Sequence, residues 1–148
     1  MARGETPHTG SENENARLSA FLDTNVLIRH LTRDPPGLGR RATAFLEQAD
    51  ELLVPDLIIA EVVVVLESFY EVDRDRVAEL VRAVIGFPAT VVADESLLLR
   101  SLEIYEVDKL DFADAYLVAH AEASGVASIV SFDRAIDRIA TVRRVEPP

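Results

Sequence analysis

Four acids in this chain stand where carboxylates are unusual. Asp23 interrupts the apolar stretch "SAFLDTNVLIR". Glu61 lies inside "LIIAEVVVVLESF", Asp114 inside "DFADAYLVAH", and Asp133 directly follows "SIVSF". Burying a carboxylate costs several kcal/mol unless a partner neutralises it. On a helix, Glu61 has Leu57, Ile58, Val64 and Val65 as its neighbours three and four residues away, so it projects from an apolar stripe. Glu67, six positions on, lies about 240° round the helix at ~100° per residue and is expected on a solvated face. Asp114 shares a stripe with Leu117, Val118 and Ala121, near a helix start that favours negative charge.

Each acid also has a plainer reading. Asp23 and Asp133 could cap the helices that follow them, and a core arginine could neutralise Glu61. Asp111 and Asp114, three residues apart, have the spacing of a capping box, which accounts well for Asp111. No single plain reading covers Asp23, Glu61, Asp114 and Asp133 together. Carboxylates gathered at one place cannot all stay ionised without cations. Hard divalent ions such as Mg²⁺ or Mn²⁺ take oxygen ligands and bridge substrate phosphates. The chemistry expected of such a set is metal-assisted phosphodiester hydrolysis.

The elements that would position these acids follow from periodicity and punctuation. "SAFL" reads as a short buried strand and "TNVLIRHL" as a helix with Thr24 and Asn25 as caps. "RDPPGLG" reads as a loop, because Pro35, Pro36 and two glycines break helices. "RRATAFLEQAD" is a helix and "ELLVP" a strand. "DLIIAEVVVVLESFY" is long enough for a buried helix despite its four valines. "DRDRVAELVRAVIGF" is an amphipathic helix, "ATVVA" a strand, and "DESLLLRSLEIYE" a helix capped by Asp94. "DFADAYLVAHAEASG" is a helix closed by Gly125, followed by the strand "ASIVSF", the short helix "DRAIDRIA" and a possible edge strand "VRRVE". Short apolar strands alternating with helices indicate an α/β sandwich with a mainly parallel sheet. Ligands of such sheets bind beyond the carboxyl ends of the strands, where Asp23 and Asp133 fall.

Composition narrows the field. The chain has 148 residues, enough for one domain with a real core; residues 1–17 are polar and aperiodic and read as a disordered leader or cloning remnant, and 18–148 as a single domain. There is no cysteine, which excludes disulfides and thiolate metal sites and fits a reducing cytoplasm. No apolar run reaches the ~18 residues of a membrane span, and no cleavable signal is read at the N-terminus. The formal net charge is −11, and Lys109 is the only lysine among 15 bases. Such a field repels nucleic acid on average, so any phosphate must be held by arginine or by metal.

"FLDTNVLIR", "IIAEVVVVL", "DFADAYLVA" and "IVSFDRAI", in this order, resemble the four acidic motifs of the PIN domain, and within it the VapC-like ribonuclease toxins of toxin–antitoxin pairs. The resemblance runs from Leu18 to Val145. It implies a three-layer α/β/α sandwich and cleavage of RNA with Mg²⁺ or Mn²⁺. It implies a dimer, and inhibition by a cognate VapB-like antitoxin. It places the metal-holding catalytic acids on Asp23, Glu61, Asp114 and Asp133, with Asn25 and Ser131 as supporting polar residues. Asp111 matches an acid that accompanies the third, binding metal through water. No histidine is needed: His120 lies six residues after Asp114 and reads as structural or solvated, and His30 lies outside the motifs.

Arg29, Arg33, Arg40 and Arg41 form either a local basic patch for RNA or antitoxin, or ordinary surface arginines. The helices from Gly37 to Ala49 and from Leu57 to Tyr70 offer an apolar groove for such a partner. A phosphatase of the haloacid dehalogenase type needs a second acid where this chain has Asn25. A receiver domain needs paired early acids and a late lysine, which are missing. A PIN fold that binds metal, RNA or a partner without turnover is the remaining alternative.

Overall fold

A computed structural model describes residues 19–148, so the expected leader over 1–17 lies outside the described residues. Three parallel strands, β1 (Ser19–Phe21), β2 (Glu51–Leu53) and β3 (Thr90–Val91), form one sheet in the order β1-β2-β3. A second parallel ribbon joins β4 (Ser128–Val130) to β5 (Arg143–Val145). Between the strands run α1 (Thr24–Thr32), α2 (Pro36–Gln48), α3 (Asp56–Ser68), α4 (Arg74–Ile85), α5 (Glu95–Glu103) and α6 (Phe112–Ser124). Parallel neighbours require crossover helices, so this alternation and this pairing are one fact. The expected α/β class with a parallel sheet holds.

The core collects the buried faces of every helix: Leu27 and Ile28 of α1, Ile59, Val62, Val63 and Leu66 of α3, Val77 and Val81 of α4, Leu98 and Leu102 of α5, Ala115 and Val118 of α6. α3 is apolar almost all round, which settles its four valines as helix rather than strand. Its core face is that of Ile59 and Val63. Glu61 therefore stands on the opposite, exposed side with Leu57 and Val64, and no arginine neutralises it in the core. Among the described residues no helix is long and apolar enough to cross a membrane.

Four local expectations are corrected. β1 is not buried: Phe21 is 75% exposed, and the first core residue is Leu22, just past the strand. The "RDPPGLG" segment is not all loop. Pro36 opens α2, where the first turn needs no N–H donor and the proline ring supplies the helical φ. Glu67 is not solvated: it is half-buried and accepts a hydrogen bond from the Tyr105 hydroxyl, because the side of α3 away from the sheet is covered too. The helix after Asp94 runs as expected with Leu97 N donating to Asp94 Oδ1 at 3.0 Å, but it passes into a π-helical turn at Ile104–Asp108.

The two glycines of α2 differ in what they meet. A Cβ on Gly39 would lie 2.6 Å from the Arg33 Cα and 3.0 Å from the Arg29 carbonyl oxygen, so this glycine lets α2 touch the end of α1. A Cβ on Gly37 would meet nothing within 4 Å. Gly39→Ala is expected to destabilise the fold by about 1–3 kcal/mol through overpacking against backbone that cannot yield. Gly37→Ala is expected to stabilise it by up to ~1 kcal/mol through helix propensity. Urea midpoints of the two variants against wild type check both, and equal midpoints would refute the close contact.

Candidate active site

The acids arrive from four places along the carboxyl-end rim of the strands and the helices that follow. Leu22 N donates to Leu53 O at 3.0 Å, extending the β1–β2 ladder by one residue, and Asp23 comes next. It occupies the N-cap position of α1, but its side chain makes no capping bond, so capping does not explain its presence. Asp111 likewise holds the N-cap position of α6 without a side-chain cap, and the capping-box reading of Asp111 and Asp114 fails. Asp133 does cap: its Oδ1 accepts from Ala135 N at 2.9 Å, at the start of the short 3₁₀ turn Arg134–Arg138.

Asp114 and Asp133 meet. Asp114 is half-buried, and its carboxyl is pushed above the usual carboxylate range, first by burial, then by the hydrogen bond it shares with Asp133 and by the charges of Asp133 and Asp111. Asp133 moves the other way, held below its usual value first by the Ala135 N–H and then by Asp114. Of the two, Asp114 is therefore the one that takes up a proton first as pH falls. Ser131 shapes this end: its Oγ accepts from Asp133 N at 2.9 Å, and its carbonyl accepts from Arg144 Nη1 at 3.0 Å. Asn25 does not join the acids in any hydrogen bond; it borders a groove between α1 and α2.

Glu61 is tied to the Asp23 end by a residue that motif reading passed over as a helix cap. Thr24 is buried, and its Oγ1 donates to Glu61 Oε2 at 3.0 Å across 37 positions of sequence. The available signal was a hydroxyl directly after an acid at a strand end, which suits a second role as well as capping. His120 packs edge-on against the Tyr116 ring at 5.9 Å between centroids, in keeping with a structural histidine.

Two acid pairings thus stand at the rim: Glu61 with Thr24, next to Asp23, and Asp114 with Asp133, next to Asp111. None of the ion pairs among the described residues engages any of these five acids. The pattern of the PIN domain family matches residues 20–142. The chain belongs to the PIN domain family. A VapC ribonuclease of Aquifex aeolicus (strain VF5) is 25% identical over 122 residues, covering 80% of this chain and 90% of that protein. The PIN domain here is VapC-like along that length.

The chemistry of this PIN domain's donor set fits a hard divalent ion. The donors are carboxylate oxygens, and those of Asp114 and Asp133 are close enough that ionising one disfavours ionising the other. Their placement is looser than the donor chemistry: no three or more Asp, Glu or His among the described residues lie as a ready metal cluster.

Proposed function

We propose that this chain is a divalent-metal-dependent endoribonuclease acting as the toxin of a toxin–antitoxin pair. The carrying observation is the pairing of the Asp114 and Asp133 carboxyls in a PIN domain, a carboxylate pair that a cation would relax. Asp23, Glu61, Asp114 and Asp133 would hold Mg²⁺ or Mn²⁺, which when bound lowers the pKa of a water and offsets charge on phosphoryl oxygens. A bound cation would favour the ionised form of Asp114. Thr24 orients the Glu61 carboxylate, and Ser131 with the Ala135 N–H orients Asp133. Asp111 sits at the mouth of α6 with no internal partner from its side chain as a cap, suited to hold a water.

RNA has handholds despite the acidic field. Phe21 and Phe132 are 75% and 71% exposed and precede Asp23 and Asp133 by two and one residues, offering faces on which unpaired bases stack. Arg29 and Arg41 border a groove of about 820 Å³ between α1 and α2, floored by Val26, Leu38, Ala42 and Phe45. This groove suits an amphipathic segment of a VapB-like antitoxin. It joins α1 to α2, whereas the sequence pointed to α2 with α3. A homodimer, with a cytoplasmic location, completes the reading.

The test is cleavage of a structured RNA pool by antitoxin-free protein with Mg²⁺, Mn²⁺ or chelator, alongside Asp23→Asn. Metal-dependent cuts absent from the variant support the nuclease. Metal binding without any cleavage supports the other reading, a PIN module without turnover, which the separated acid pairs favour. Thr24→Val keeps shape but leaves Glu61 unheld, and is expected to lower metal affinity about 10–100-fold. Isothermal titration with Mn²⁺ checks this, and an unchanged affinity would remove Thr24 from the site.

A further inference from the structure

A cavity of about 320 Å³ lies between the first turns of α3 and α6, lined by Asp56, Leu57, Ala60, Phe112, Ala113 and Tyr116. Leu57 lies one turn before Glu61, and Ala113 directly precedes Asp114, so the cavity adjoins both acid-bearing helices. Asp56 follows β2 by three residues and so belongs to the same carboxyl-end rim as Asp23. Its Oδ2 accepts from the Tyr116 hydroxyl at 2.7 Å. Its Oδ1 is buried and has no hydrogen-bond partner, the one such side-chain atom among the described residues. A buried acceptor without a donor is costly, and native structures seldom carry one without a purpose.

We propose that this cavity receives one unstacked base of the RNA, and that the base is guanine. The proposal rests on the ribonuclease reading and adds to it a specificity residue, Asp56. The walls supply what a flipped base needs: the faces of Phe112 and Tyr116 and the aliphatic surface of Leu57 and Ala60. The carboxylate decides among the four bases. Guanine alone presents two adjacent donors, N1–H and the N2 amino group, with no acceptor on the Asp56 side of the pair. Adenine and cytosine offer one amino group beside a ring-nitrogen acceptor, and uracil offers one N–H between two carbonyls, so each sets a lone pair against a carboxylate oxygen. Engaging guanine requires the carboxylate to turn so that Oδ1 reaches the cavity, with the Tyr116 hydroxyl donating to whichever oxygen then faces it. Tyr116 remains a donor throughout, since Asp56 and burial push its hydroxyl up to about 12.

The test uses the full-length protein and the four free nucleosides, which carry no phosphate to be repelled by the acidic surface. NMR titration of wild type is expected to show guanosine bound about tenfold tighter than adenosine, cytidine or uridine, the discrimination of one bidentate pair. Asp56→Asn should abolish that preference, because an amide cannot accept twice. Ala60→Met, which fills the cavity and leaves Asp56 alone, should abolish binding of all four with the thermal midpoint unchanged. Equal binding of the four nucleosides to wild type, no binding at all, or a guanosine preference that survives Asp56→Asn would each overturn the proposal. Guanosine selectivity without RNA cleavage would keep the pocket and remove the nuclease reading. Cleavage indifferent to guanine, with no nucleoside preference, would do the reverse.

Discussion

Asp114→Asn is expected to lower RNA cleavage at least about a hundredfold and, in the metal-free protein at neutral pH, to raise stability. The two effects have one cause. The Asp114 carboxyl binds its proton more tightly in the folded chain than at its ordinary value of 3.8, through burial, its bond to Asp133 and the charges of Asp133 and Asp111. A raised folded value means that the favourable contribution is fully present below the unfolded value and is lost as pH rises through the folded one. As pH rises through that folded value, wild type comes to carry an ionised, half-buried Asp114 against ionised Asp133. Asparagine removes that repulsion and can still donate to Asp133. Asp133 itself, with its lowered value, contributes stability above its unfolded value and loses it as pH falls through the folded one.

The difference in thermal midpoint between wild type and Asp114→Asn reads Asp114 directly. It should open in favour of the variant as pH climbs from 4 to 7 without metal. Adding Mg²⁺ or Mn²⁺ at pH 7 should raise the wild-type midpoint and close the gap, because a ligand that binds only the native state stabilises it. A gap independent of pH and metal, with cleavage intact, would show that Asp114 neither shares a proton nor holds an ion.

Arg74→Ala is expected to destabilise the fold by about 3 kcal/mol. Arg74 Nη1 donates to Tyr105 O at 2.8 Å and to Leu110 O at 2.6 Å, and its guanidinium lies 4.4 Å from the centroid of the Tyr105 ring. Tyr105 is fully buried, and its hydroxyl donates to Glu67. One arginine thus closes the π-helical turn and the left-handed Lys109 that follows it, the stretch that delivers Asp111 and α6. Alanine leaves two carbonyls unpaired and removes the cation from the ring. Arg82→Ala is the control: it sits on the same helix, its partner Glu106 is within 3.1 Å, and both side chains are partly solvated. That surface pair should cost less than ~1 kcal/mol. Equal urea midpoints for the two variants would contradict the role given to Arg74. Because Leu110 directly precedes Asp111, Arg74→Ala is also expected to weaken Mn²⁺ binding in the fraction that remains folded.

Much of this was legible in the residues. The helix of α3 was readable from length against its valines, Asp94 from the cap spacing, and Gly125 from the need for a left-handed residue at a helix end, where its φ is 75°. These are interactions over three or four residues, and periodicity reports them directly. The same logic misled at Pro36, where a helix breaker is a helix starter once it occupies the first turn. It misled again at Glu67, because a helical wheel says which way a side chain points but not what covers that side.

What the sequence alone determined is the order of four acidic motifs on alternating strands and helices, and with it the family. Tertiary structure decided their partners. Thr24 reaches Glu61 across 37 positions, Tyr116 reaches Asp56 across 60, and Tyr105 reaches Glu67 across 38. It decided too that Asp23 and Asp111 cap nothing while Asp133 does, and that Asp114 binds a proton more readily than Asp133. The reason is physical: local patterns are set by backbone geometry within a turn or two, whereas the state of a carboxylate depends on which distant donors and charges the fold brings within hydrogen-bonding distance.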